Sequence, residues 1–267
     1  MSRITAPFGC RTATVTAHET HGAYVVIRCQ DAGGPPPHAG QFYMLRSAER
    51  WGGGEGERPF LPRAFSVLRA RDCELQFLIE DVGPGTKRLC ELTPGDDLLL
   101  VGPLGNGFAA PRENREPVLV GGGVGIAPLA ILQDGLRRNP PTRLGFRDAA
   151  HAAGAALLRD PVVATDDGSV GHQGLVTDLL EDELDERGDR VEVYACGPPA
   201  MLEAVRVMCG ERAVPAQLAL ESGMACGFGA CFGCVVPTVD GYVRLCLDGP
   251  VLDAAALRTA AVAGAGH

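Results

Sequence analysis

Three cysteines, Cys226, Cys231 and Cys234, fall within the stretch ESGMACGFGACFGC with the spacing C-x4-C-x2-C, and Cys246 follows on an expected hairpin, DGYVRLCLDG. That is the plant-type spacing of a [2Fe–2S] cluster, in which four thiolates bind two irons that pass single electrons. Gly227, Gly229 and Gly233 suit such a loop, because a backbone without Cβ atoms can turn its N–H groups inward toward sulfur. The competing reading is a structural zinc ion held by four cysteines, a site that more commonly shows two C-x2-C knuckles on separate turns.

A second constellation is the glycine turn GGGVGIAP, where Gly121, Gly122, Gly123 and Gly125 follow an apolar strand and open a helix. Glycines there let the backbone approach a phosphate closely, as in a nicotinamide dinucleotide site. Pro128 stands where the usual fingerprint has its third glycine, and tight strand-to-helix packing is the alternative explanation. Cys196, in YACGPPAM, ends an expected parallel strand, the place where α/β sheets bind ligands, and is a candidate for contact with a nicotinamide ring. Arg63-Ala64-Phe65-Ser66 offers a guanidinium for a phosphate and a hydroxyl for a ring nitrogen, and Gly83-Pro84-Gly85-Thr86 is a second phosphate-suited turn in the same region. No catalytic residue is expected: no histidine pair has metal spacing, no Ser-His-Asp order can be assembled, and Lys87 is the only lysine.

These groups need elements to hold them. Alternating, β-branched text such as TATVTAHETHGAYVVIRCQ, then GQFYMLR, RAFSVLRA, CELQFLIE and GDDLLLVG, reads as five or six short strands of an antiparallel barrel, interrupted by one short helix near 85–92. Ser47–Pro62, polar and glycine-rich, is expected to be a surface loop. From Pro117 apolar strands alternate with amphipathic helices, the pattern of a parallel sheet covered by helices. The acidic run Glu181–Glu186 is expected to be a solvated helix face, and the final AALRTAAVAGAGH a frayed tail. The expected fold is multidomain β plus α/β, with a flavin-type barrel at 1–112, a nucleotide-binding α/β domain at 113–213 and a small cluster domain at 214–267.

Composition sets the outer limits. The 267 residues, 46% hydrophobic and 21% charged, are those of a globular protein, and the net charge of −9 excludes a broad nucleic-acid or anionic-lipid surface. No apolar run approaches the ~18 residues of a membrane span, and no signal peptide is evident, so the expected location is cytoplasmic. In that compartment ten cysteines point to metal or redox chemistry before a disulfide framework.

Nicotinamide dinucleotides exchange two electrons as hydride, and an iron–sulfur cluster carries one; a flavin between them can do both. The order nicotinamide, flavin, cluster therefore makes a two-to-one electron converter. The succession RAFS, GPGT, GPLGNGF, LVGGGVGIAP, ATDDGSVGHQGLVTD, VYACGPPAM and MACGFGACFGC…RLCLDGP closely resembles the electron-transfer subunit of class 1B dihydroorotate dehydrogenases, a branch of the ferredoxin–NADP reductase superfamily. The resemblance spans about residues 11–253. It implies an FAD-binding barrel, with Arg63 to Ser66 and Leu78-Ile79-Glu80 along the flavin and Gly85-Thr86 on its pyrophosphate, an NAD-binding domain, and a [2Fe–2S] domain ligated by Cys226, Cys231, Cys234 and Cys246. It further implies an FMN-containing dihydroorotate dehydrogenase catalytic subunit as partner, in a heterotetramer of two of each chain, with the dihydroorotate base in the partner. Arg63-Ala64 replaces the family's usual Arg-Pro, and Ser47–Pro62 looks longer than usual. The alternatives are the FAD subunit of a ferredoxin:NADP or sulfide-type oxidoreductase, and a noncatalytic zinc-stabilised binding module.

Overall fold

The computed structural model describes residues 9–52 and 59–262. The first six strands are β1 (Arg11–His21), β2 (Tyr24–Gln30), β3 (Phe42–Ser47), β4 (Arg63–Arg71), β5 (Glu74–Glu80) and β6 (Asp97–Leu104), with helix α1 (Pro84–Cys90) between the last two. They pair antiparallel and close in the order β1-β2-β5-β4-β3-β6. Closure leaves no free sheet edge. Period-two alternation fills the interior: Leu75, Phe77 and Ile79 of β5 point in with Leu45 and Leu100, while Leu78 points out to pack with the second domain. Trp51 is also buried in this core, so the expected surface loop is pinned by an indole at its start; residues 53–58 of it lie outside those described.

The next elements are β7 (Glu116–Gly122), α2 (Ile126–Gly135), β8 (Thr142–Phe146), α3 (Ala149–Ala152), β9 (Pro161–Thr165), β10 (His172–Gln173), α4 (Val176–Arg187), β11 (Val191–Cys196), α5 (Pro199–Glu211) and β12 (Ala216–Ala219). The hairpin β13 (Val235–Thr238) and β14 (Gly241–Arg244) precedes β15 (Val251–Asp253). The large sheet runs β10-β9-β8-β7-β11-β12-β15, parallel throughout except for β15. The chain thus builds outward from β7 through β8, β9 and β10, then returns to β11 on the other side. That reversal opens a crevice beyond the carboxyl ends of β7 and β11, the place where such sheets take ligands. β12 and β15 both come from the 214–267 segment, so the stretch between them, which carries all four cluster cysteines, leaves the sheet and rejoins it.

Two local expectations are corrected. The acidic run forms part of α4, but Glu183 turns inward, is almost fully buried and pairs with Arg143 and Arg187, because one position in each helical turn must face the sheet. The carboxyl-terminal residues do not fray as far as they are described. Leu257 and Ala260 are buried, and Glu203 of α5 accepts hydrogen bonds from Thr259 Oγ1 (3.1 Å) and Ala260 N (2.6 Å). The paired Arg206 guanidinium, with those donors, holds the Glu203 carboxyl down at about 2. Among the described residues no helix is long and apolar enough to cross a membrane.

Candidate functional site

A cleft of about 410 Å³ runs between the barrel and the sheet. Its barrel wall is Arg63, Ala64, Phe65, Ser66, Leu78, Glu80 and Thr86; its far wall includes Val124, Gly125 and the stretch 220–224. Apolar and aromatic walls with a guanidinium at one end suit a flat ring system carrying phosphates. The side chain of Ile79 faces the barrel interior, as strand alternation requires. Gly85 acts through its missing side chain: a Cβ there would stand 2.7 Å from Arg63 Nε, so only glycine lets the guanidinium lie across the start of α1. Arg63 Nη1 donates to Leu61 O at 2.6 Å. The Thr86 hydroxyl is committed to the turn, accepting from Val82 N (2.9 Å) and Gly83 N (3.0 Å), and so shapes the loop without offering a free group.

A second cleft, of about 550 Å³, occupies the crevice where the sheet reverses. Gly122, Gly123, Gly125, Gly145, Gly197, Pro198 and Met201 line it, with Arg147, His151 and Asp166 on the rim. Gly125 is the tightest position: a Cβ would stand 2.4 Å from Cys196 O, so the turn after β7 lies directly on the backbone that ends β11. Gly121 faces Leu144 and Leu129 and is a packing glycine. Cys196 lines neither cleft: its side chain is buried among core residues of the domain, and that burial pushes its thiol up well above the ordinary value.

Glu80, Val82, Val124, Gly125 and Glu221 line both clefts, so a ligand in one would meet a ligand in the other across this wall. Glu80 ties the domains: its carboxylate pairs with Arg147 and lies 3.2 Å from His151 Nε2, whose Nδ1 is 2.6 Å from Asp148 Oδ1. Sequence reasoning missed Glu221. Its side chain, solvent-exposed, lines both clefts, and desolvation pushes its carboxyl pKa up. Its signal was positional, since it follows the carboxyl end of a parallel strand, the same logic that singled out Cys196.

The cysteine segment leaves from this wall. Ser222, Gly223 and Met224 line the first cleft, and Cys226 lies just beyond. Gly227 and Gly229 take left-handed backbone angles, φ +78° and +88°, and each lies against a neighbour that a Cβ would strike, Met44 and Leu247 respectively. Gly233 is not left-handed; Phe232 is, with φ 59°. Cys226 lies beside Cys231 and Cys246 beside Cys234, and the charge of Cys226 also reaches Cys246. Among the described residues no three His, Cys, Asp or Glu side chains converge on one point that could hold a single metal ion. Backbone donors favour the anionic sulfur at Cys226: burial raises its pKa, yet the N–H groups of Cys231, Phe228 and Ala230 outweigh that and bring it to about 7. Cys246 is pushed up to about 12 by burial and by the neighbouring Cys234.

A closed antiparallel barrel joined to a doubly wound sheet, with two clefts meeting at a shared wall, is the architecture of ferredoxin–NADP reductase-like flavoproteins. An NADH-dependent reduced ferredoxin-NADP oxidoreductase superposes with a TM-score of 0.78 at 25% identity, over 94% of this chain and 91% of that one. A ferredoxin NADP+ reductase from Neisseria gonorrhoeae, solved with FAD and NADP, shares the fold with a TM-score of 0.60 at 19% identity, over 76% of this chain and 91% of its own. Sequence comparison narrows the class. Residues 221–258 match the iron-sulfur cluster binding domain of dihydroorotate dehydrogenase B. The chain is 36% identical over 215 residues to the dihydroorotate dehydrogenase B (NAD(+)) electron transfer subunit of Clostridium acetobutylicum, covering 79% of this chain and 82% of that protein. The corresponding subunit of Caldanaerobacter subterraneus is 38% identical over 224 residues, covering 82% and 86%. The chain belongs to the family of dihydroorotate dehydrogenase B electron transfer subunits.

Proposed function

We propose that this chain carries electrons between an FMN-containing dihydroorotate dehydrogenase subunit and NAD+, in an assembly of two copies of each chain, as a step of pyrimidine synthesis. The observation that carries the reading is the continuity of the shared wall with the cysteine segment: Glu221 touches both clefts, Met224 touches the first, and Cys226 follows at once. One unbroken stretch of backbone thus links the space for hydride exchange to the thiols for one-electron transfer.

When bound, FAD supplies the change from two-electron to one-electron chemistry, with the cluster as the one-electron carrier. The residues of the chain position and shield. Arg63, lying on Gly85, offers its charge to the flavin pyrophosphate; Phe65, Leu78 and Val82 form apolar walls that exclude water from the ring. Ser66 offers a hydroxyl to the ring edge. Gly122, Gly123 and Gly125 let a dinucleotide phosphate approach the backbone, and the reversal of the sheet directs its nicotinamide toward the wall at Val124. Cys226, Cys231, Cys234 and Cys246 would hold the cluster.

Metal, sulfide and flavin analysis of anaerobically purified full-length protein tests the reading. Two irons, two acid-labile sulfides and one FAD per chain are expected from the plant-type spacing and the single flavin cleft. One zinc and no sulfide would overturn it.

A further inference from the structure

The loop bearing Cys226, Cys231 and Cys234 and the turn bearing Cys246 belong to different arms of the chain, and Arg244 ties them. Its Nη1 donates to Gly229 O at 2.8 Å, and its guanidinium lies over the Phe232 ring, 4.7 Å from the centroid. The base of this side chain is itself fixed, because Arg244 N donates to Asp248 Oδ2 at 3.0 Å and Asp248 N donates back to Arg244 O at 2.8 Å. Phe232, held under that guanidinium, precedes Gly233, whose N–H donates to Cys231 Sγ at 3.4 Å. A glycine-rich loop has few side chains of its own to hold such a donor in place. A planar guanidinium can hydrogen-bond through its edge while its face stacks on a ring, and a lysine ammonium has no such face.

We infer that Arg244 is a positioning residue for the cluster: it holds the loop at Gly229 and Phe232 so that the Gly233 N–H···S contact to Cys231 is maintained. That contact favours the electron-rich, reduced form over the oxidised one, since hydrogen bonds to sulfur are among the determinants of cluster potential. The inference rests on the cluster reading above. It assigns Arg244 the tuning of the midpoint potential, a property distinct from holding iron.

The test is a mediator-buffered dithionite titration of the full-length chain, followed by the electron paramagnetic resonance signal of the reduced cluster. Arg244→Gln is expected to lower the equilibrium constant for one-electron reduction about tenfold, a fall of about 59 mV, with altered g-values and with iron and sulfide retained. Arg244→Lys restores charge without the fork or the stacking face and is expected to keep most of that fall. A change below threefold in Arg244→Gln, or full recovery in Arg244→Lys, overturns the inference. Should the glutamine variant lose iron, the lysine variant carries the test alone, and a parent-like potential there overturns it. Absence of iron and sulfide from the parent protein would instead sink the cluster reading itself, and this inference with it.

Discussion

Replacing Gly125 with alanine probes the point where the two clefts and the sheet meet. Gly125 has φ −63° and ψ −7°, ordinary helical values, so alanine brings no backbone strain of its own. The added methyl would stand 2.4 Å from Cys196 O, 2.5 Å from its carbonyl carbon and 2.6 Å from Gly197 Cα. Ordinary contact needs roughly 3.4 Å or more, so the turn and the end of β11 must part by about 1 Å. Neither side can yield a flexible side chain, because every atom met is backbone. Overpacking of this kind costs about 1–3 kcal/mol, equivalent to a fall of roughly 2–12 °C in Tm for a domain of this size. A displacement of about 1 Å at a hydride-transfer site can cost on the order of 100-fold in rate. The expected outcome for Gly125→Ala is therefore a lower Tm and a kcat/KM for NADH-driven reduction of an artificial dye down by about 100-fold. Gly135→Ala, at the end of α2 where a Cβ meets nothing within 4 Å, is the control and should raise stability by roughly 0.5–1 kcal/mol. Parent-like Tm and NADH kinetics in Gly125→Ala would refute the contact between the turn and β11, and with it the placement of the nicotinamide.

Other outcomes follow from the same geometry. Arg63→Ala should weaken FAD retention by about 10- to 100-fold, the usual worth of a charge-assisted hydrogen bond at roughly 1.5–3 kcal/mol, measured by flavin release on dilution; unchanged retention would remove Arg63 from the pyrophosphate. Glu221→Gln should raise the Tm of the flavin-free protein at neutral pH. Its carboxyl pKa is raised by desolvation, so the folded state binds a proton more readily than the unfolded one, and stability is lost as pH rises through the folded value. The gain from glutamine should accordingly fade in acid, below about pH 4 where the free carboxyl is protonated in both states; a gain independent of pH would point to packing alone.

Much of the site was legible because it depends on local rules. The thiol spacing, the glycine turn after a strand and the alternating barrel strands each declare themselves over a few residues, and the arginine of RAFS does reach the first cleft. What escaped depended on contacts between distant segments. β12 and β15 are only four and three residues long and have no alternation to read, so the completion of the sheet by the cluster segment was invisible. Glu183 looked like its acidic neighbours until Arg143 from a different strand was placed opposite it. Glu221 and Arg244 carry no motif: one gains its meaning from two clefts that meet there, the other from a carbonyl fifteen residues earlier. Cys196 shows the converse, since a strand end marks where backbone meets ligand without fixing which way the side chain turns.

The central claim is a relay in which the cysteine segment serves transfer to the partner and the two clefts serve exchange with NADH. Steady-state assay of Cys231→Ser, in complex with the FMN-containing catalytic subunit, tests it most directly. The exposed Cys231 can lose its sulfur with little disturbance of the core. Dihydroorotate-dependent NAD+ reduction should disappear while NADH-driven dye reduction stays within about twofold of the parent. Equal loss of both activities, or survival of the coupled reaction, would contradict it.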